Sequence, residues 1–301
     1  MLRQPAAPPV GCWLLTPRSP DWPDPWNHVD EPPDLVWGAG DPAALDGPAI
    51  AVVGTRRATP RGEAIARRLG ADLARRGWTV VSGLARGIDA AAHQGALDAD
   101  GVTVAVMGTG VDRTYPHRHV DLRRRIERRG CTVTDLPPGA PPLHFHFPRR
   151  NRLVSGLAQA VIVVEAPVRS GALLTAYQGL DQGREVFAVP GPVDCDRVRG
   201  CHKLLREGAH LLESVDDLHR VLTAPRDDPA APPPRLPLPR PGSPARWIWD
   251  RLDLTGLRLD ELRRRWSGSE EMLQEGLLAL EAADMIQRLP GGKVVRKIWL
   301  P

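Results

Sequence analysis

Six short β-branched runs, apolar on both faces, punctuate the middle of the chain: Ala49 to Val53, Thr79 to Val81, Val102 to Met107, Thr132 to Thr134, Val161 to Glu165 and Glu185 to Val189. A strand with one wet face alternates apolar and polar residues. These runs do not, which predicts strands of a parallel sheet covered on both sides. Arginine-rich and alanine-rich stretches lie between them and predict helices near 61–76, 87–98, 118–129, 149–159 and 171–182, each ending near a Gly or Pro. Strands and helices in this alternation predict an extended Rossmann-like α/β fold over residues 49–222, a doubly wound and mostly parallel sheet.

The flanks have a different texture. Residues 1–48 mix Pro, Gly and Asp with Trp13, Trp22, Trp26 and Trp37 in no sustained period, which predicts an irregular N-terminal extension packed on the main body. Residues 223–244 contain nine prolines, a composition that predicts an extended linker and a domain boundary. In residues 245–301, Trp247, Ile248 and Leu252, then Leu259 and Leu262, then Met272, Leu273, Leu277 and Leu280 predict three amphipathic helices. Met285 to Leu289 and Val294 to Trp299 around Pro290-Gly291-Gly292 add a hairpin, so a small C-terminal winged-helix domain is expected.

Composition narrows the partners. The chain has 301 residues and a formal charge of +4, and its only lysines are Lys203, Lys293 and Lys297. Arginine forks onto phosphate better than lysine does, but GC-rich coding would leave the same signature, and both explanations stand. Cys12, Cys131, Cys195 and Cys201 show no CxxC spacing, so neither zinc nor a disulfide framework is indicated, and a reducing compartment fits. Cys195, Cys201 and His202 are too irregularly spaced for a metal site. No apolar stretch approaches the ~18 residues of a membrane span and no basic segment leads into one, so a cytoplasmic location is expected.

In an open α/β sheet, ligands sit outside the carboxyl ends of the strands. Glycines gather there: Gly54-Thr55-Arg56, Ser82-Gly83-Leu84-Ala85-Arg86-Gly87, Gly108-Thr109-Gly110 and Ser170-Gly171-Ala172. Glycine lets the backbone approach an anion, and the helix that follows points free N–H groups at it. Any parallel sheet needs tight glycine turns, so recurrence at several edges carries the weight here. No P-loop Gly-Lys-Ser/Thr and no complete GxGxxG is present, which argues against an ATPase or a dehydrogenase and for an anion bound without a cofactor or hydrolysis. Phe147-Pro148-Arg149-Arg150-Asn151-Arg152 puts an aromatic beside arginines and an amide, a combination suited to a stacked base with its phosphates. The alternative is a core Phe145 and an Arg152 that bridges to a carboxylate. Asp89, His93, Asp112, Tyr115 and Glu165 are scattered and form no evident catalytic set; Asp89 reads as a turn anchor and His93 as structural. The cluster Arg123-Arg124-Arg125 with Arg128 and Arg129 reads as a solvated helix face, with an auxiliary DNA path as the lesser reading.

Taken in order, these segments resemble the DprA/Smf family of DNA-processing proteins. The resemblance rests on Val52 to Arg56, Val81 to Asp89 with His93, Gly108 to Gly110 with Tyr115-Pro116, Phe147 to Arg152, Ser170 to Leu173, Gly183 to Gly191, and Gly200 to Ala209. It spans roughly residues 40 to 220 and implies a homodimeric single-stranded DNA-binding protein that helps load a RecA-type recombinase onto incoming strands. Carried over by position, the pocket would use Arg56, Ser82, Gly83, Phe147, Arg149, Arg150 and Arg152, with Lys203 near its edge. His119 and His202 stand where the family often has Asn, and His144 where a basic side chain commonly precedes the Phe. A neutral imidazole adds less charge, so affinity is expected to rise at lower pH. The N-terminal region is too short for the helical domain many members carry. Glu270, Glu271, Glu275 and Glu281 on the C-terminal unit favour protein contacts over duplex reading.

Two rivals remain from the sequence. A nucleotide-processing phosphoribohydrolase of the same superfamily would need a PGGxGTxxE motif that is missing here. A pure interaction scaffold would use its glycine edges only as turns.

Overall fold

The computed structural model describes residues 7–29, 31–223, 243–252, 257–283, 285–289 and 292–296. The chain divides into two compact units, Met1–Ala224 and Pro225–Pro301.

In the first unit the elements run β1 (Cys12–Leu15), β2 (Val36–Gly40), β3 (Ala49–Val53), α1 (Pro60–Arg75), β4 (Thr79–Ser82), α2 (Ile88–Asp98), β5 (Thr103–Val106), α3 (Val120–Arg129) and β6 (Cys131–Thr134). They continue with α4 (His146–Leu157), β7 (Ala160–Val163), α5 (Gly171–Asp181), β8 (Glu185–Ala188), α6 (Arg199–Arg206), β9 (His210–Leu211) and α7 (Val215–Thr223). The nine strands form one sheet in the order β1-β2-β6-β5-β4-β3-β7-β8-β9. All neighbours pair in parallel except β1 with β2 and β2 with β6.

The alternation along β3 shows why its sequence is apolar throughout. Ile50 and Val52 join Leu69 and Leu73 of α1 and Ala92 of α2 on one face, while Ala51 and Val53 join Leu153 and Val154 of α4 and Leu173 of α5 on the other. Because β3 pairs with β4 on one side and with β7 on the other, the winding direction reverses between β3 and β7. Loops leaving those strands diverge to opposite faces and open a crevice at their carboxyl ends.

The N-terminal region corrects the expectation of an irregular extension. Residues 12–15 and 36–40 form two antiparallel strands that extend the sheet beyond β6. The indole of Trp13 lies across Gly38, where a Cβ would stand 2.1 Å from its ring, and its Nε1 donates to the Gly40 carbonyl at 2.9 Å. Trp26 is fully buried and donates to the Leu153 carbonyl of α4 at 3.0 Å.

The second unit holds α8 (Pro244–Arg251), β10 (Leu257–Arg258), α9 (Leu259–Arg265), α10 (Glu270–Ala282), β11 (Ile286–Leu289) and β12 (Lys293–Arg296). The three strands pair antiparallel in the order β10-β12-β11, and Ile248, Leu262, Leu273 and Leu277 form the core. Most of the expected Pro-rich linker, the tip of the hairpin at Pro290-Gly291 and Trp299 lie outside the described residues. Among the described residues no helix is long and apolar enough to cross a membrane.

Candidate nucleic-acid interface

The crevice at the switch point is an open cavity of about 520 Å³. Its walls come from the loops that follow β3, β4 and β7, from the first turns of α4 and α5, and from Tyr115. Of the residues singled out by sequence, Gly54, Thr55, Arg56, Gly83, Phe147, Arg150, Asn151 and Gly171 line it together.

Two buried carboxylates shape these loops. Asp89 accepts from the Gly83 and Ala85 backbone N–H groups at 3.1 and 3.4 Å, so it anchors the turn as its position suggested. Burial pushes its carboxyl up, opposed first by the Arg150 guanidinium and then by those N–H groups. Glu165 accepts from the backbone N–H and the hydroxyl of Thr59, and its carbonyl accepts from the Thr55 N–H at 2.6 Å. Neither carboxylate is left as a free base. The glycine-edge picture changes accordingly: the Gly83 N–H serves Asp89, and what the missing side chain provides is room, since a Cβ there would stand 2.4 Å from Arg150 Nη2.

Arg150 is buried and donates to the carbonyls of Gly83, at 2.7 Å, and Val106. Burial pushes its pKa down to about 10, so it stays charged at neutral pH and holds a fixed positive charge under the cavity floor. Leu84 beside it has φ +56°, a region costly for a branched side chain. The conformation is held by a fully buried Leu84 side chain and by His119 Nδ1–H, which donates to the Leu84 carbonyl at 3.0 Å.

Exposed charge comes from Arg56, Arg57 and Arg169, all lining the cavity. The Arg56 guanidinium lies 4.8 Å from the Phe147 ring centroid, and Phe147 lies 5.6 Å from Tyr115 at 41°. Gly108 makes this aromatic pair possible, because a Cβ there would stand 2.7 Å from Phe147 Cδ1. At the opposite wall α5 begins at Gly171, with the Ser170 hydroxyl accepting from the Ala172 N–H at 3.3 Å; an anion placed there meets the positive end of the helix.

The other sequence candidates lie elsewhere. The Ser82 hydroxyl is buried and donates to the Val52 carbonyl at 2.6 Å, tying β4 to β3. Arg152 takes the bridging alternative: it is buried, pairs with Asp135 at 3.0 Å and donates to the Glu31 and Arg149 carbonyls. Arg149 is exposed and turned toward Asp135 at 3.5 Å. Lys203 sits on α6 against Glu207 and the Tyr177 ring, outside the cavity lining. Arg86 borders an adjoining recess. Phe145 is 56% exposed and is not a core residue. Arg123 is not part of a solvated face, since it is tucked against Glu127 and donates to the carbonyls of Val111 and Arg113. His93 is fully buried against Thr103 Oγ1 at 2.7 Å. Among the described residues no three His, Cys, Asp or Glu are grouped to hold a metal. Arg57 and Arg169 carry no sequence signal, because an isolated exposed arginine has no pattern; only the fold puts them in the cavity with Phe147.

Residues 13–223 match the family model of DNA recombination-mediator protein A. A Mycobacterium tuberculosis relative named for the DNA processing protein DprA is 46% identical over 225 residues, 69% of this chain and 57% of its own, so the chain spans little more than half of that protein. Protein Smf of Escherichia coli is 37% identical over 300 residues, 94% of this chain and 79% of its own. The crystal structure of DNA processing protein A from Streptococcus pneumoniae superposes with a TM-score of 0.66 at 38% identity, covering 68% of this chain and 72% of that one. DNA processing protein A from Helicobacter pylori, solved for its single-stranded DNA binding mode, gives 0.64 at 27% identity, covering 70% and 95%.

Proposed function

The chain belongs to the DNA recombination-mediator protein A (DprA/Smf) family, and on that premise we propose that it binds single-stranded DNA in the switch-point cavity, protects incoming strands and helps load a RecA-type recombinase in natural transformation and recombination. The observation that carries this reading is the pairing of Arg56, Arg57 and Arg169 with the Phe147 and Tyr115 rings in one open cavity. Guanidiniums engage phosphates without reading sequence, while an aromatic face stacks on any unpaired base. A duplex keeps its bases stacked internally and cannot use the rings.

The protein acts by binding and is not an enzyme; Asp89, which lines the cavity, and Glu165 are committed to holding its loops. A cytoplasmic homodimer is the form proposed to work. The edge strand β9 with Leu211, 49% exposed, is a natural place for a second copy to pack. The second unit is read as a winged helix used for protein contacts, because Glu271 and Glu275 of α10 are exposed and would repel a phosphate backbone, while Glu270 is paired with Arg263 at 2.8 Å.

The test compares one labelled sequence as single strand and as duplex, together with incubation of the protein with nucleoside monophosphates. Binding at least about tenfold tighter to the single strand, with no free base released, is expected. Equal affinity for both forms, or release of a base, would contradict the reading.

A further inference from the structure

The cavity does not end at its aromatic wall. A second recess of about 40 Å³, which Arg86, Gly108 and Pro116 also border, opens beside it and shares Arg56, Gly83, Ala85, Tyr115 and Phe147 with it. Space of that size holds a few waters, which is room for a phosphate group and too little for a nucleobase.

The recess is built rather than incidental. Arg56 stacks on Phe147 at 4.8 Å and Phe147 meets Tyr115 at 5.6 Å, so its inner wall is a packed row of planar groups. On its outer side, the loop after β4 and the turn before α3 are joined by the bond from His119 Nδ1–H to the Leu84 carbonyl. Each of these segments carries one exposed arginine, Arg86 on the first and Arg118 on the second. Neither has an ion-pair partner among the described residues, and Asp121, the acid nearest Arg118 in sequence, faces Arg124 at 3.3 Å. Arg149 and Lys203, by contrast, each face an acid, Asp135 at 3.5 Å and Glu207 at 3.6 Å.

We propose that a single strand leaves the cavity along this recess, its backbone running past the Arg56–Phe147–Tyr115 row onto Arg86 and Arg118, which form a second phosphate station reached only by strands longer than the cavity holds. The proposal rests on the single-strand reading of the cavity. It assigns Arg118 a ligand-binding role, and it makes the site a through-channel with a defined exit.

The experiment measures anisotropy of labelled oligonucleotides of ~6 and ~16 nucleotides, toward the short and long ends of usual site sizes, with the full chain, Arg118→Glu, Arg118→Lys and Arg56→Ala. The wild type should bind the longer strand more tightly. Arg118→Glu should lose most of that gain, about tenfold on the long oligonucleotide, with less than about a twofold change on the short one, and Arg118→Lys should restore it. An undiminished length gain in Arg118→Glu, or equal losses on both lengths, overturns the exit path. A short oligonucleotide that ignores Arg56→Ala, or that the wild type does not bind, removes the cavity reading itself and the exit with it.

Discussion

Long-range partners decide what each polar side chain near the cavity can do. Arg150 and Arg152 stand two residues apart in one motif, yet Arg150 lies under the floor between the Gly83 and Val106 carbonyls and Arg152 is spent on Asp135. The motif gave the right neighbourhood and could not give this division, because Asp135 and Gly83 are distant in sequence. His93 shows the same limit. Its structural role is legible in the sequence, but the consequence depends on depth: burial pushes the imidazole from about 6.5 down to about 3, with His119 and Arg150 adding to the shift. The folded protein therefore keeps His93 neutral where the unfolded chain would protonate it. Its contribution to stability is complete above pH 6.5 and is lost as the pH falls toward 3, at about 1.4 kcal/mol per unit. Chemical denaturation from pH 7 to 4 should show a shallower acid loss in His93→Asn than in the wild type, whatever its stability at pH 7. Parallel loss in the two proteins would remove His93 as the acid-sensitive group.

At the scale of elements, the central strands β3 to β8 are legible because burial on both faces leaves short β-branched, mostly apolar runs, and helices α1 to α5 because arginine-rich and alanine-rich stretches separate those runs. Strands β1 and β2 are not, since Gly38 and Gly40 blur the pattern and the pairing joins segments separated by a long irregular stretch. The glycine at 38 is demanded by the Trp13 indole lying on it, a reason invisible until the two strands meet. The start of α4 at His146 was also missed, because Pro148 reads as a stop although proline is tolerated in a first helical turn. The N-terminal segment matters to the site through Trp26, which is fully buried and bonded to Leu153 on the helix that carries Phe147. Replacing Trp26 by Ala should cost about 3–5 kcal/mol in urea unfolding, and Trp26→Phe should cost less. A loss under about 1 kcal/mol would mean the segment is an ornament on the sheet and does not support α4.

For the molecule as a whole, the charge balance of +4 is small, so affinity for a polyanion must come from where the charge lies. The fold collects Arg56, Arg57 and Arg169 around one cavity while pairing many of the outer arginines with acids, as in Arg67 and Arg125 on Asp98. The most direct measurement is the salt dependence of single-strand binding by anisotropy in the wild type, Arg56→Ala and Phe147→Ala. With three phosphate contacts in the cavity, the logarithm of affinity should fall with the logarithm of salt with a slope of about −2, and Arg56→Ala should flatten it by about 0.7. Phe147→Ala should lose about 1–3 kcal/mol of affinity with the slope unchanged, because stacking releases no counterions. Affinity and slope that survive both substitutions would contradict the placement of the strand in this cavity.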